Sequence, residues 1–162
     1  MLGRLLHRGR INAPELLTSE LFNEITFYSA FLKDLAGCRS EVVIESPFVT
    51  TRRIGQMEAA LQKLKERKVR IVVNTRDPHE HDDGRQRDDS YRAIATLQRL
   101  GVHVLYTGGH HRKLAILDRS ILYEGSLNIL SQCRSSEIMR RIESAQMAWQ
   151  MVRFVELDKY IT

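Results

Sequence analysis

Two short apolar runs, Leu114–Leu117 (LAIL) and Ile121–Tyr123 (ILY), flank the polar pair Asp118-Arg119. Runs this short, β-branched or aromatic in part and broken by polar residues, read as two strands of a tight hairpin. The hairpin constrains the rest of the chain because polar residues cluster at its open end. The hairpin is expected to carry His111 and Lys113 on its first strand, with Ser126 and Asn128 just past the second in Gly125-Ser126-x-Asn128. Side chains alternate along extended backbone, so His111 and Lys113 share a face. Asp118, an odd number of residues from both, is expected to face away in a structural or supporting role. Ser126 and Asn128, again two apart, can converge from the neighbouring strand end, and Glu137 follows a polar loop.

This residue set suits a phosphodiester. A neutral imidazole can attack phosphorus or, protonated, donate to a leaving oxygen. Lys113 supplies fixed positive charge for the equatorial oxygens, and Ser126 and Asn128 supply further donors. Glu137 is a carboxylate that can hold the imidazole of His111 in one tautomer. His110 is a second histidine but lacks the two-residue offset to Lys113, so it is expected to face away and to be dispensable.

HRKLAILD followed by GSLN resembles the signature of the phospholipase D superfamily. The short chain with a single copy is similar to its small bacterial nuclease branch, and Glu137 in RSSE matches the pattern's downstream acidic residue. The resemblance implies catalysis by His111, Lys113, Ser126, Asn128 and Glu137, with Asp118 part of the motif. It also implies a covalent phosphohistidine and no metal or other cofactor. In that family two His-Lys motifs meet at one site. This chain has no second His-x-Lys; its nearest counterpart position carries Glu45-Ser46-Pro47. A homodimer whose twofold axis passes through the site is therefore expected.

The flanking sequence reads as strand–helix alternation. An amphipathic helix is expected from about Ser19 to Leu35, with Leu21, Ile25, Tyr28, Leu32 and Leu35 inward and Gly37 ending it. A strand at 41–46, a helix from Thr50 or Thr51 to about Lys68 and a strand at 69–74 form a crossover, so those strands should be parallel. A charged loop at 76–90, a helix from about Asp88 to Leu100 with Tyr91 inward, and a strand at 102–106 follow. A strand at 137–142 and a closing helix from Ser144 to about Lys159, burying Met147, Met151, Phe154 and Val155, complete the pattern. The expected fold is α/β: a mixed, mostly parallel sheet with helices on both faces, in one domain at 19–162 behind a basic leader at 1–18.

At 162 residues the chain can bury a proper core, and 43% hydrophobic with 28% charged residues fits a globular protein. No apolar run approaches the roughly 20 residues that span a bilayer, so no stable membrane insertion is expected. The N-terminal MLGRLLHRGRINAPELL lacks the apolar core and cleavage site of an export signal, so a cytoplasmic location with free Cys38 and Cys133 is expected. His79, His81, Asp82 and Asp83 fit neither a helical His pair nor a calcium loop, and read as a solvated loop.

The formal net charge of +5 suits a polyanionic partner. Arg52, Arg53, Arg76, Arg85 and Arg87 are candidates for tracking a phosphate backbone. The expected activity is a metal-independent endonuclease acting on DNA in preference to RNA. The alternatives are a phospholipid phosphodiesterase or phosphatidyltransferase, and a non-catalytic dimeric nucleic-acid-binding module of a helicase or restriction system.

Overall fold

The computed structural model describes Pro14 and residues 18–161, so the expected leader lies largely outside the described residues. The described elements are β1 (Glu20–Asn23), α1 (Phe27–Gly37), β2 (Glu41–Glu45), α2 (Thr51–Glu66), β3 (Arg70–Thr75), α3 (Gly84–Arg99), β4 (His103–Tyr106), β5 (Leu114–Leu117), β6 (Ile121–Gly125), β7 (Ile138–Glu143) and α4 (Ala145–Phe154). Short 3-10 turns lie at Pro78–Glu80 and Leu157–Lys159.

The strands form a 7-stranded sheet in the order β1-β7-β6-β5-β2-β3-β4. β2–β3 and β3–β4 are parallel. The pairings β1–β7, β7–β6, β6–β5 and β5–β2 are antiparallel. The sheet is thus mixed and flanked by helices, but mostly antiparallel rather than mostly parallel. Parallel neighbours need a long crossover. Only α2 and α3 provide one between strands adjacent in the sheet. β5 turns straight back into β6, and β6 returns to β7 through a loop without a helix, so the antiparallel half dominates.

The sheet has two packed faces. On one, Phe27, Phe31 and Leu35 of α1, Ile54, Met57, Leu61 and Leu64 of α2, and Ala93, Ile94 and Leu97 of α3 cover Val42, Ile44, Ile71, Val73, Ala115, Leu117 and Tyr123. Tyr123 meets Phe27 and Phe31 edge-on, with ring centroids 5.5 and 5.3 Å away. Its hydroxyl donates to Asp34 at 2.6 Å, and Arg141 Nε donates to the same carboxylate oxygen at 2.6 Å, which ties α1 to β6 and β7. The other face is covered more thinly: Ala148 and Val152 of α4, with Leu157 and Ile161, lie over Val43, Val72, Leu114, Ile116, Leu122 and Ile142.

Several local expectations change. The first part of the expected N-terminal helix is strand β1, paired with β7. Asn23 explains the break: its Oδ1 accepts from the Ile25 and Thr26 amides, an Asx turn that competes with helix. Leu21 and Ile25 are exposed as a result. α3 starts at Gly84 because the Asp83 side chain caps the Arg85 amide, four residues earlier than the apolar spacing indicates. Tyr91 and Phe154, expected inward, are exposed, the latter at 84%. The closing helix ends at Phe154 and gives way to a left-handed Glu156 and a 3-10 turn. Both cysteines are free: Cys38 is buried, Cys133 exposed. Burial, with Asp118 and Asp34 nearby, pushes the Cys38 thiol up to about 12. Among the described residues no helix is long and apolar enough to cross a membrane.

Candidate active site

The chain assembles one edge of the sheet from the starts of β5 and β7 and the ends of β2, β3 and β6. Gly125 N donates to Lys113 O at 3.3 Å, extending the β5–β6 ladder to the lysine, and Ser126 N donates to Ile138 O at 2.9 Å. His111 is exposed, and Lys113 half-buried. Their side chains share a face: Lys113 Nζ lies 2.7 Å from His111 Nδ1 and donates to the His111 carbonyl at 2.6 Å. An ammonium has donors and no acceptor, so Lys113 can donate to Nδ1 only in the tautomer that carries its ring proton on Nε2. That tautomer can donate a proton outward. Attack by Nε2 requires the proton on Nδ1 and this lysine contact broken. Burial pulls the Lys113 pKa below its usual value, opposed by the nearby Glu137 charge.

Ser126 Oγ donates to Glu137 Oε2 and accepts from the Ile138 amide at 3.1 Å. The other carboxylate oxygen of Glu137 accepts from Ser135 at 2.7 Å. No described hydrogen bond joins Glu137 to His111; the position next to Nδ1 belongs to Lys113. Asn128 sits in a loop pinned to the core: Leu127, Ile129 and Leu130 are fully buried, Leu130 N donates to Ser46 Oγ at 3.1 Å, and Tyr28 donates to Ile129 O at 2.9 Å. Its Oδ1 is buried with no hydrogen-bond partner among the described residues. Gly125 has a steric reason: a Cβ there would lie 2.1 Å from Ile138 O.

Asp118 stands at the opposite edge. The β5–β6 turn has both Asp118 (φ 49°) and Arg119 (φ 53°) left-handed, with Ser120 N donating to Leu117 O at 3.0 Å, the geometry of a type I′ turn. The Asp118 carboxylate accepts from the amides of Arg39, Ser40 and Glu41 and from the Ser40 hydroxyl at 2.8–3.0 Å. Burial raises its pKa, but these bonds outweigh it and leave the carboxyl below its ordinary value.

The expected phosphate-tracking arginines are mostly engaged within the protein. Arg52 donates to Cys133 Sγ at 3.0 Å, and Arg53 to Gln132 O at 2.6 Å while lying over the Tyr28 ring. Arg76 pairs with Glu80 at 3.2 Å, and Arg87 donates to His81 O at 2.8 Å. Arg85 is exposed, with its amide bound by Asp83. His81 is buried and stacks on Phe48. Among the described residues no group of three or more His, Cys, Asp or Glu is placed to hold a metal ion.

Glu45, at the end of β2, has a fully buried side chain, yet sequence reading gave it no role. It binds Arg112 through both carboxylate oxygens and accepts from Asn74 Nδ2 at 2.8 Å. The buried His110 ring lies 3.6 Å away. Burial alone would raise the Glu45 pKa; the adjacent His110 ring, hydrogen bonds from Arg112 and Asn74, and the Arg112 charge hold it at about 2. The only signal in the sequence was an acidic residue closing the strand EVVIE directly behind three apolar residues.

The family described as Cardiolipin synthase, PLD-like domain matches residues 31–157. No curated protein sequence matches the chain. The fold is similar to that of Nuc from Salmonella typhimurium, a phospholipase D family member (TM-score 0.69, 16% identity, 85% of this chain and 90% of that one). It is also similar to NucT from Helicobacter pylori (TM-score 0.66, 17% identity, 85% and 92%). Phosphatidylserine synthase from Haemophilus influenzae shares it over 86% of this chain but 37% of its own length (TM-score 0.65, 14% identity). With the family match running over most of its length, the chain belongs to the phospholipase D superfamily.

Proposed function

We propose that the protein is a metal-independent phosphodiesterase, an endonuclease acting on DNA through a covalent phosphohistidine at a site shared by two copies of the chain. The observation that supports the reading is the His111–Lys113 contact beside the Ser126–Glu137 pair at one end of the sheet, joined by the Gly125 N–Lys113 O bond. One His111 attacks phosphorus, forming a P–N bond as the P–O bond to the leaving group breaks. The second copy's His111 gives that oxygen its proton. Water then attacks phosphorus, the P–N bond breaks, and the second imidazole recovers a proton. Lys113 offsets charge on the equatorial oxygens. The net charge of +5 favours a polyanionic substrate.

One observation favours a second reading, a phospholipid phosphodiester. Leu21, Ile138 and Phe154, exposed at 63%, 65% and 84%, border a cavity of about 450 Å³ that Lys113 also lines. A shared site would bring a second copy near this apolar wall, whereas a lipid enzyme would offer it to acyl chains. Incubation with DNA and, separately, with phosphatidylglycerol vesicles, alongside sedimentation equilibrium, tests the readings. Cleaved DNA by a dimer supports the first. Released head group with untouched DNA replaces it with the second.

A further inference from the structure

The two neighbours of His111 point away from the site and toward one buried carboxylate. Arg112 holds Glu45 by a two-point grip, Nη2 to Oε1 at 2.9 Å and Nε to Oε2. The His110 ring, with no exposed side-chain surface, lies 3.6 Å from Glu45 Oε2 at ion-pair rather than hydrogen-bond distance, and its ring nitrogens have no hydrogen-bond partner among the described residues. Asn74 links the start of the same loop to this centre: its Nδ2 donates to Glu45 at 2.8 Å, and its Oδ1 accepts from Thr107 at 3.0 Å.

The segment that carries His111 needs such an anchor. Residues 107–113 belong to no helix or strand, and Gly109 has φ +62°. Extended backbone sends alternate side chains to opposite sides. Whatever fixes residues 110 and 112 therefore also fixes the direction of 111 and 113. A buried carboxylate with satisfied oxygens is a stiff reference point, since moving either partner leaves a desolvated charge unpaired. Arg112 suits the task better than lysine, because its planar fork fixes orientation as well as charge.

We infer that Glu45 is a positioning residue that, through Arg112 and His110, sets the orientation of the His111 and Lys113 side chains. Its connection to catalysis rests on the phosphodiesterase reading above; its connection to the orientation of His111 does not.

The test separates the two. NMR of histidine-labelled wild type, Glu45→Gln and Arg112→Lys reads the His111 ring without substrate. Arg112→Lys retains the charge opposite Glu45, so it carries the test should Glu45→Gln fail to fold. The expected result is displaced or broadened His111 resonances in a variant that stays folded, with a cooperative unfolding transition. Wild-type-like His111 resonances overturn the inference. On DNA, the variants should lower kcat about 10- to 100-fold, with KM changed less than about twofold, because the reacting groups and not the binding surface are displaced. A loss residing in KM also overturns it. A wild type that cleaves no phosphodiester, while the NMR effect stands, refutes the hydrolase reading alone.

Discussion

The Ser126 hydroxyl bridges two strands at the candidate site, donating to the Glu137 carboxylate while accepting from the Ile138 amide at 3.1 Å. One side chain thus couples the end of β6 to the start of β7 and keeps the carboxylate close enough to favour the ammonium form of Lys113.

Ser126→Ala and Glu137→Gln should each lower kcat on DNA by about tenfold or more, while the double variant loses little beyond the worse single one. Groups acting through one shared bond are non-additive. Steady-state rates for the three variants check this; losses that multiply would show that the two residues act independently.

Gly125→Ala should cost about 3 kcal/mol, the upper end for overpacking, because its Cβ would lie 2.1 Å from Ile138 O and 2.9 Å from Met139 Cα. Neither neighbour is a side-chain end that can swing aside. Urea unfolding measures the cost, and a variant as stable as the wild type would mean that β6 and β7 separate freely there.

Asp118→Asn should destabilise by about 2 kcal/mol, since it puts an NH₂ among three backbone donors that now point at a carboxylate. Folded protein should retain its turnover, because Asp118 lies at the edge remote from His111. Unfolding free energy and kcat on the same preparation separate the effects.

Acid should unfold the protein partly through Glu45. Its carboxyl is held at about 2 against an ordinary 4.5. A depressed folded-state value means the unfolded chain takes up the proton first as pH falls. The resulting contribution, about 3 kcal/mol, is fully present above pH 4.5 and drains away as pH falls toward 2. Urea unfolding between pH 7 and 2 should therefore show a shallower acid slope for Glu45→Gln; matching slopes would contradict the assignment.

The nearness of His111, Lys113 and the Ser126 end was legible because it is local in sequence: the two-residue spacing puts His111 and Lys113 on one side, although the strand expected to carry them begins only at Leu114, and the hairpin brings the Ser126 end alongside. Sheet polarity was less legible. Apolar spacing marks β2, β3 and β4, but only the connections decide direction, and the antiparallel half follows from short returns such as Asp118–Ser120. β1 was hidden because Leu21 and Ile25 match helical spacing, and their strand and turn states depend on β7 and on the Asn23 side chain. Glu45 was hidden for a related reason: Asn74 and Arg112, which stabilise its buried charge, lie 29 and 67 residues away in the chain.

Cleavage of single- and double-stranded DNA in excess EDTA, by wild type and by His111→Ala, tests the central claim most directly. The expected result is cleavage by the wild type that survives the chelator and is lost in the variant. Cleavage abolished by EDTA, or retained by His111→Ala, would contradict a metal-independent mechanism built on this histidine.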